Sequence, residues 1–316
     1  MGGRSTRVAI FIICLCASMM VITTHAQELM TGSEYTESVT GLTIGSFEVQ
    51  TETLAPGLHA IFGAGGNVLA SIGRQGVLVV DDQLESMVPK IQTAVRQLGG
   101  GNIDFVINTH WHYDHADGNV VLGSSGSWIV SHQNARDMMA ADKRIDLLRA
   151  IVMQPAYPSV GLPVITYDSE MRLFFNDQEI DLRFYGPAHT AGDTAVFFPQ
   201  KNVVHMGDVY HSARYPFIDT DHGGSLDGMI AFCEAVLMEG NQDSIIVPGH
   251  GPVSSYADLA AYVQMLRAVR QRLLGLIEKG GTLSEVLQST PTAEWNDSRG
   301  DPTLFLTGAY SSLSTP

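Results

Sequence analysis

Six consecutive residues, His110-Trp111-His112-Tyr113-Asp114-His115, constrain this chain more than any other feature. Imidazole nitrogen and carboxylate oxygen are donors that divalent zinc accepts readily. Along an extended backbone, side chains at i and i+2 share a face, so His110 and His112 can converge on one ion. Asp114 and His115 are adjacent and point differently, which suits a second ion nearby. The rival reading of such a stretch is a His-rich surface loop. Just upstream, the apolar run Phe105-Val106-Ile107-Asn108 reads as a buried strand that delivers His110.

The same arrangement recurs downstream. Gly186-Pro187-Ala188-His189 follows the alternating run Ile180 to Tyr185, and Pro248-Gly249-His250 follows the short apolar run Ser244-Ile245-Ile246-Val247. Between them, Val203-Val204-His205-Met206-Gly207-Asp208 runs from a strand pattern into a glycine turn that ends in an acid. A lone histidine in a loop is more often structural than a ligand. Here a strand, a glycine and then His or Asp recur, as expected where a sheet holds functional loops. His205 lies inside its strand and reads as a satisfied core residue.

These residues together resemble the metallo-β-lactamase superfamily. The match is its His-x-His-x-Asp-His motif at His110, His112, Asp114 and His115, with later ligands at His189, Asp208 and His250. The family's early strand ending in Asp is matched by Gly76-Val77-Leu78-Val79-Val80-Asp81. The resemblance covers roughly residues 45–275 and implies a four-layer αββα sandwich with an α/β element pattern. It also implies two zinc ions. His110, His112 and His189 would hold the first, and Asp114, His115 and His250 the second, with Asp208 bridging them. Asp81 would orient the His-rich loop from behind the ligands. The bland alternative for Asp81 and Asp82 is an N-cap of the following helix.

Two zinc ions about 3.5–4 Å apart would share a hydroxide, since the metals lower the pKa of water towards ~7, and that hydroxide would attack a carbonyl. One zinc would stabilise the developing oxyanion and the other the leaving atom. Asp114 is the catalytic candidate that orients the nucleophile and relays its proton. No Gly-x-Ser-x-Gly elbow supports a serine nucleophile. Within the family, common zinc β-lactamases carry Cys where Asp208 stands, and Lys three residues later, where this chain has His211. The pattern therefore favours a hydrolase of a small ester, lactone or lactam, with weak or promiscuous β-lactam hydrolysis as the first alternative. The second is an iron-dependent sulfur dioxygenase-type enzyme on the same fold. Diiron relatives place Glu at the position of His112 and need a flavin domain, and neither is seen here. The loop Arg214 to Ser225 is a candidate substrate-facing segment, Trp111 and Tyr113 could line the pocket, and His211 and His222 either reach substrate or stand at the surface.

Formal net charge is -15, with 18 Lys+Arg against 33 Asp+Glu, so the chain offers no basic stripe for nucleic acid. Its expected partner is a small-molecule substrate. Residues 1–26 read as a secretory signal: Arg4 and Arg7, an apolar run from Val8 to Ile22, and Thr24-His25-Ala26 as a cleavage site. That run is shorter than the ~20 residues of a spanning helix. The expectation is a periplasmic or secreted protein with no stable membrane insertion after cleavage, residues 27–316 forming one domain. An uncleaved anchor is the rival reading. After cleavage only Cys233 remains, in an apolar helical stretch, so no intrachain disulfide can form.

Other elements follow from periodicity. Asn67 to Ile72 and Gly76 to Val80 read as a hairpin. Leu84 to Leu98 reads as a helix stopped by Gly99-Gly100-Gly101, and Leu259 to Ile277 as a long amphipathic helix stopped by Gly280-Gly281. Thr282-Leu283-Ser284-Glu285 reads as a capping box. Glu34 to Ala60 reads as strand-containing, and Trp128-Ile129-Val130 as a strand with Ser131 capping the next helix. Lys143 to Pro163 reads as a mobile cover near the site, and the segment from Thr290 onward as packed coil.

Overall fold

Gly76–Val80 shows how the sandwich is built. Val77 and Val79 point into a cluster shared with helices, while Leu78 and Val80 point into a second cluster shared with the opposite sheet. The two-residue period of a strand thus serves both faces, and the run has no polar side chain because neither face meets water. The structure is a computed structural model that describes residues 27–314. The expected signal segment lies outside those residues. No helix among the described residues is long and apolar enough to cross a membrane.

Gly76–Val80 pairs antiparallel with Val68–Gly73, with Leu69 opposite Val80, and parallel with Ile103–Ile107 on its other side. They sit in a seven-stranded sheet that runs from Ile165–Tyr167 at one edge to Gln50–Ala55 at the other. A six-stranded sheet faces it, built from Glu170–Phe175, Gln178–Arg183, Ala195–Phe198, Val203–His205, Ile245–Val247 and Ser254–Ser255. Leu58, Leu78, Ile107, Leu182, Phe198 and Val247 fill the space between the sheets. Helix Val88–Gln97 covers the outer face of the first sheet through Val88, Ile91 and Val95. Helices Leu226–Glu239, Tyr256–Ile277 and Thr303–Ser314 cover the second through Phe232, Leu266 and Phe305. The order is helix, sheet, sheet, helix, as the αββα expectation requires.

The loops that carry the expected ligands leave neighbouring strands at the same end. Asp81 follows Gly76–Val80, His110 follows Ile103–Ile107, Asp208 follows Val203–His205 and His250 follows Ile245–Val247. Because these strands pair parallel within each sheet, their carboxyl ends lie side by side.

Several expectations need correction. The stretch after Thr31 opens with helix Gly32–Thr40 before the strands Gln50–Ala55 and Leu58–Phe62. Thr31 and Glu34 form a capping box there, which fixes the helix start. Neither Asp81 nor Asp82 caps a helix: Asp81 sits at φ 61 and accepts hydrogen bonds from Thr109. His132, one residue past the expected Ser131, caps Gln133–Met139 by accepting from Asn134 N at 3.1 Å. The expected mobile cover is instead an antiparallel pair, Lys143–Asp146 with Ala150–Gln154, extended by Glu28–Met30 into a three-stranded sheet. Its Gln154 donates to the Trp111 carbonyl at 2.8 Å. The expected C-terminal coil contains helix Thr303–Ser314, which buries Phe305, Leu306 and Ala309.

Candidate metal centre

All seven residues expected as ligands come together. Donor atoms of His110, His112 and His189 lie within 4.8 Å of one another, as do those of His110, His115 and Asp208, and those of Asp114, His115 and His250. Asp208 stands between the outer groups, with Oδ1 3.0 Å from His115 Nε2 and Oδ2 3.9 Å from His189 Nε2. Asp114 Oδ2 lies 3.1 Å from His250 Nε2 and 3.8 Å from His115 Nε2.

His189, His112 and His115 are each aimed by a hydrogen bond on the far side of the ring. His189 Nδ1 lies 2.8 Å from the Phe217 carbonyl, which only accepts, so that nitrogen carries the hydrogen and Nε2 faces inward bare. His112 Nε2 donates to Asp219 at 2.9 Å, turning Nδ1 inward. His115 Nδ1 donates to Asp81 at 2.7 Å, turning Nε2 inward. Asp81 itself is held by Thr109 N and Oγ1 at 2.7 and 2.8 Å. Two glycines let these groups meet. A Cβ on Gly66 would lie 2.1 Å from His115 Cε1, and one on Gly249 would lie 2.0 Å from Asp208 Oδ1.

The donor set fits a bound cation. His112 Nδ1 and His189 Nε2 stand 2.9 Å apart, each with its hydrogen committed to the opposite nitrogen. Two bare lone pairs at that distance repel unless a proton or a metal ion lies between them. Two nitrogens on one tetrahedral zinc are about 3.3 Å apart, given bonds of about 2.0–2.1 Å. His115 Nε2 and His250 Nε2 stand 3.2 Å apart. His110 Nε2 is buried with no hydrogen-bond partner among the described residues.

Charge divides the site in two. Burial, then the neighbouring His115 and His189, push His110 well below the usual imidazole range. Burial and then His112 lower His189 to about 4. For His115 burial is again the largest influence, but Asp208, Asp114 and Asp81 together outweigh it and raise the pKa. His250 is raised to about 10 in the same way, by Asp208 and Asp114 against burial. The same contacts hold Asp208 well below the ordinary carboxylate range, against a burial penalty.

Surrounding residues lock the loops. His205 is buried as expected: Nε2 donates to the Asn67 carbonyl at 2.9 Å and Nδ1 accepts from Gly207 N at 3.1 Å, fixing the turn that presents Asp208. Asn67 also donates to the carbonyls of Pro248 and Gly251 on either side of His250. Asp193 accepts from Thr190 N and Ala188 N around His189. Trp111 and Tyr113, read as possible lining residues, are buried in the helix-side core instead. His222 turns to Asp219, whereas His211 does line the site, stacking on His250 with ring centroids 5.5 Å apart.

Asp219 is the orienting residue that the sequence did not single out. It belongs to the loop read as substrate-facing, but its carboxylate is buried and bridges His112 and His222. Its only linear signal is the local pair Asp219 and His222, three residues apart.

Residues 81–250 match the family model described as the metallo-beta-lactamase superfamily. Among solved structures, a metallo-beta-lactamase from Pontibacter korlensis aligns with a TM-score of 0.57 at 16% identity, over 70% of this chain and 99% of that one. The DIM-1 metallo-beta-lactamase aligns with a TM-score of 0.55 at 17% identity, over 70% of this chain and 97% of that one. A stereoselective inverting sec-alkylsulfatase from Pseudomonas sp. aligns with a TM-score of 0.65 at 15% identity, over 83% of this chain but 50% of that one. At such identities these structures show a shared fold. The family match spans more than half of the chain and contains every candidate ligand, and the chain belongs to the metallo-beta-lactamase superfamily, whose members are metal-dependent hydrolases.

Proposed function

We propose that this chain is an exported dinuclear zinc hydrolase that cleaves a small ester, lactone or lactam. The observation that carries this reading is the facing pair of bare nitrogens, His112 Nδ1 and His189 Nε2, at 2.9 Å beside a second pair at 3.2 Å. His110, His112 and His189 would hold one ion, and Asp114, His115 and His250 the other, with Asp208 between them. Zinc bound there would supply a Lewis acid for a carbonyl and a water acidified towards neutral pH.

The chain's own groups do the rest. Asp81, Asp219 and the Phe217 carbonyl hold three imidazoles in one tautomer and one orientation. The Asp114 side chain is 18% exposed, so it can meet a substrate and accept, then return, a proton. Cys233 is no rival nucleophile, because burial raises its thiol far above neutrality and it lies in the helix-side core. His211 is pushed down to about 3, first by burial and then by His250, so it is uncharged. It therefore cannot replace a lysine as a carboxylate anchor, which makes β-lactam hydrolysis the secondary reading. Export rests on the pattern of residues 4–26.

The test is hydrolysis of a chromogenic cephalosporin, a lactone and a thioester by metal-assayed protein, with and without chelator. Chelator-sensitive turnover of at least one, at about two zinc ions per chain, is expected. Protein that takes up no zinc, or turnover that ignores the chelator, would overturn the reading. His112→Ala and Asp208→Ala should each lose metal and cut activity by more than about 100-fold. Full activity in both would exclude a two-metal mechanism.

A further inference from the structure

The turn that carries the second half of the His-rich motif is held by two sets of contacts. In the first the partners are backbone groups: Gly66 N donates to the Asp114 carbonyl at 2.8 Å, and Asp82 N to the His115 carbonyl at 2.9 Å. The second is built from two side chains. Gln154 Nε2 donates to the Trp111 carbonyl at 2.8 Å and to the Tyr157 hydroxyl at 3.2 Å. The Tyr157 hydroxyl in turn donates to Asp117 Oδ1 at 2.6 Å. An amide nitrogen carries two hydrogens and a phenol one, so every hydrogen in this relay is used and its direction is fixed. Gln154 is 2% exposed and Tyr157 8%, so water competes little for these bonds.

The relay grips the loop at its two ends. Trp111 immediately precedes His112, and Asp117 follows His115 by two residues. Between these ends runs the single helical turn Tyr113–Ala116, closed by His115 N and Ala116 N on the His112 carbonyl at 3.0 and 3.1 Å. The gripped span thus carries His112, a candidate ligand of one ion, and Asp114 and His115, candidate ligands of the other. Gln154 and Tyr157 are themselves anchored outside this loop. Pro155 and Pro158 each follow one of them and have fixed φ angles, which stiffens the segment. Tyr157 N donates to the Met139 carbonyl at 2.8 Å, and Ala156 N to Asp142 Oδ1 at 2.8 Å. Gln154 ends the strand Ala150–Gln154, which is paired on both sides, with Glu28–Met30 and with Lys143–Asp146.

We propose that Gln154 and Tyr157 are positioning residues that set the separation of His112 from Asp114 and His115, and through it the spacing of the two ions. This rests on the two-metal reading and adds what holds its geometry. Neither residue is a candidate ligand. A site of this kind works only if its groups are held to within about 0.5 Å, which the residues around the ligands must provide. A contact at one end of so short a turn would leave it free to pivot, whereas one relay joined to both ends ties the two ligand positions to each other. Tyr157→Phe releases the Asp117 end while the ring still fills its place. Gln154→Met, of similar length but with no donor, releases both ends.

The test has two readouts on wild type, Tyr157→Phe and Gln154→Met. In metal-free protein, hydrogen exchange of the amides of His115, Ala116 and Asp117 is compared with that of the strand Ala195–Phe198 in the other sheet. Tyr157→Phe should speed exchange in the turn about 10-fold and Gln154→Met more, with the strand little changed. In protein loaded with two cobalt(II) ions, the spin coupling between the ions, read by electron paramagnetic resonance, should differ from the wild type in both variants. Unchanged exchange in the turn, or equal acceleration of turn and strand, would overturn the clamp. Faster exchange with unaltered spin coupling would overturn its role in spacing the ions. A wild type that binds fewer than two cobalt ions would overturn the two-metal reading and the spacing role with it, while exchange still decides whether the pair holds the turn.

Discussion

At the scale of single residues, Asp219 decides how well the candidate ligand His112 is aimed. Its carboxylate is buried, and burial alone would raise its pKa. Hydrogen bonds from His112 and His222 outweigh that and hold it well below the ordinary range, so it stays charged at neutral pH. A charged acceptor makes the His112 imidazole a stronger donor to a metal. Asp219→Asn keeps the shape and removes the charge. Metal affinity should fall about 10- to 100-fold, read by competition with a chromophoric chelator, while the far-ultraviolet dichroism stays that of the wild type. Unaltered affinity would mean that the Asp219 contact does not tune the ligand. The candidate ligands, which the structure brings together, were legible in the chain because four of them occupy six consecutive positions and the others follow strand-and-glycine patterns. Asp219 was not, because its partner His112 lies 107 residues away and nothing local ties the two together.

At the scale of elements, the C-terminal helix Thr303–Ser314 braces the loop that carries Asp219. Gly308 is the point of closest approach: a Cβ there would lie 2.9 Å from the Ile218 carbonyl and 3.1 Å from Ile218 Cβ. Inside a helix, Gly to Ala ordinarily gains up to about 1 kcal/mol from backbone propensity. Here the methyl meets backbone, which cannot swing aside, so overpacking of roughly 1–3 kcal/mol should win. Gly308→Ala is expected to lower the unfolding midpoint and, through Ile218 and Asp219, to weaken metal binding. A stabilised variant with normal metal affinity would refute the brace. This helix and the one at Gly32–Thr40 are where the sequence reading fell short. Both are short and weakly periodic, and the first carries its capping box in a polar stretch that reads as lead-in. The second is held by packing on Leu226–Glu239 and Tyr256–Ile277, which is tertiary information. The hairpin Val68–Gly73 with Gly76–Val80, and helix Tyr256–Ile277 with its buried Leu259, Val263, Leu266, Val269 and Leu273, were legible because burial on a fixed period leaves its mark in the chain.

At the scale of the whole molecule, metal, protons and folding are one linked equilibrium. Without metal, His110 and His189 are neutral at pH 7, since burial and neighbouring rings lower both. His115 and His250 are protonated, because Asp208 and Asp114 overcome burial and raise them, His250 to about 10. An ion entering between His110, His112 and His189 therefore displaces no proton from His110 or His189, whereas one entering at His115 and His250 must displace a proton from each. Calorimetric titration of metal-free protein at pH 7, in two buffers of different ionisation enthalpy, should show a strong buffer dependence in the step that fills the His115 and His250 side. The pH dependence of stability follows with a definite sign. A raised folded pKa, as at His250, gives the metal-free protein stability that is fully present below the unfolded value near 6.5 and is lost as pH rises towards about 10. The lowered pKa of His189 gives stability that is present above about 6.5 and is lost as pH falls through about 4. Between pH 7 and 10 the metal-free protein should thus weaken while metal binding strengthens, because the competing protons leave. With free zinc at about 1,000 times its dissociation constant, the ion adds roughly 4 kcal/mol to folding, or on the order of 10 °C in the unfolding midpoint. The gap between zinc-loaded and chelated midpoints should widen from pH 7 to pH 9. A gap that narrows over that range would show that His115 and His250 do not hold the second ion.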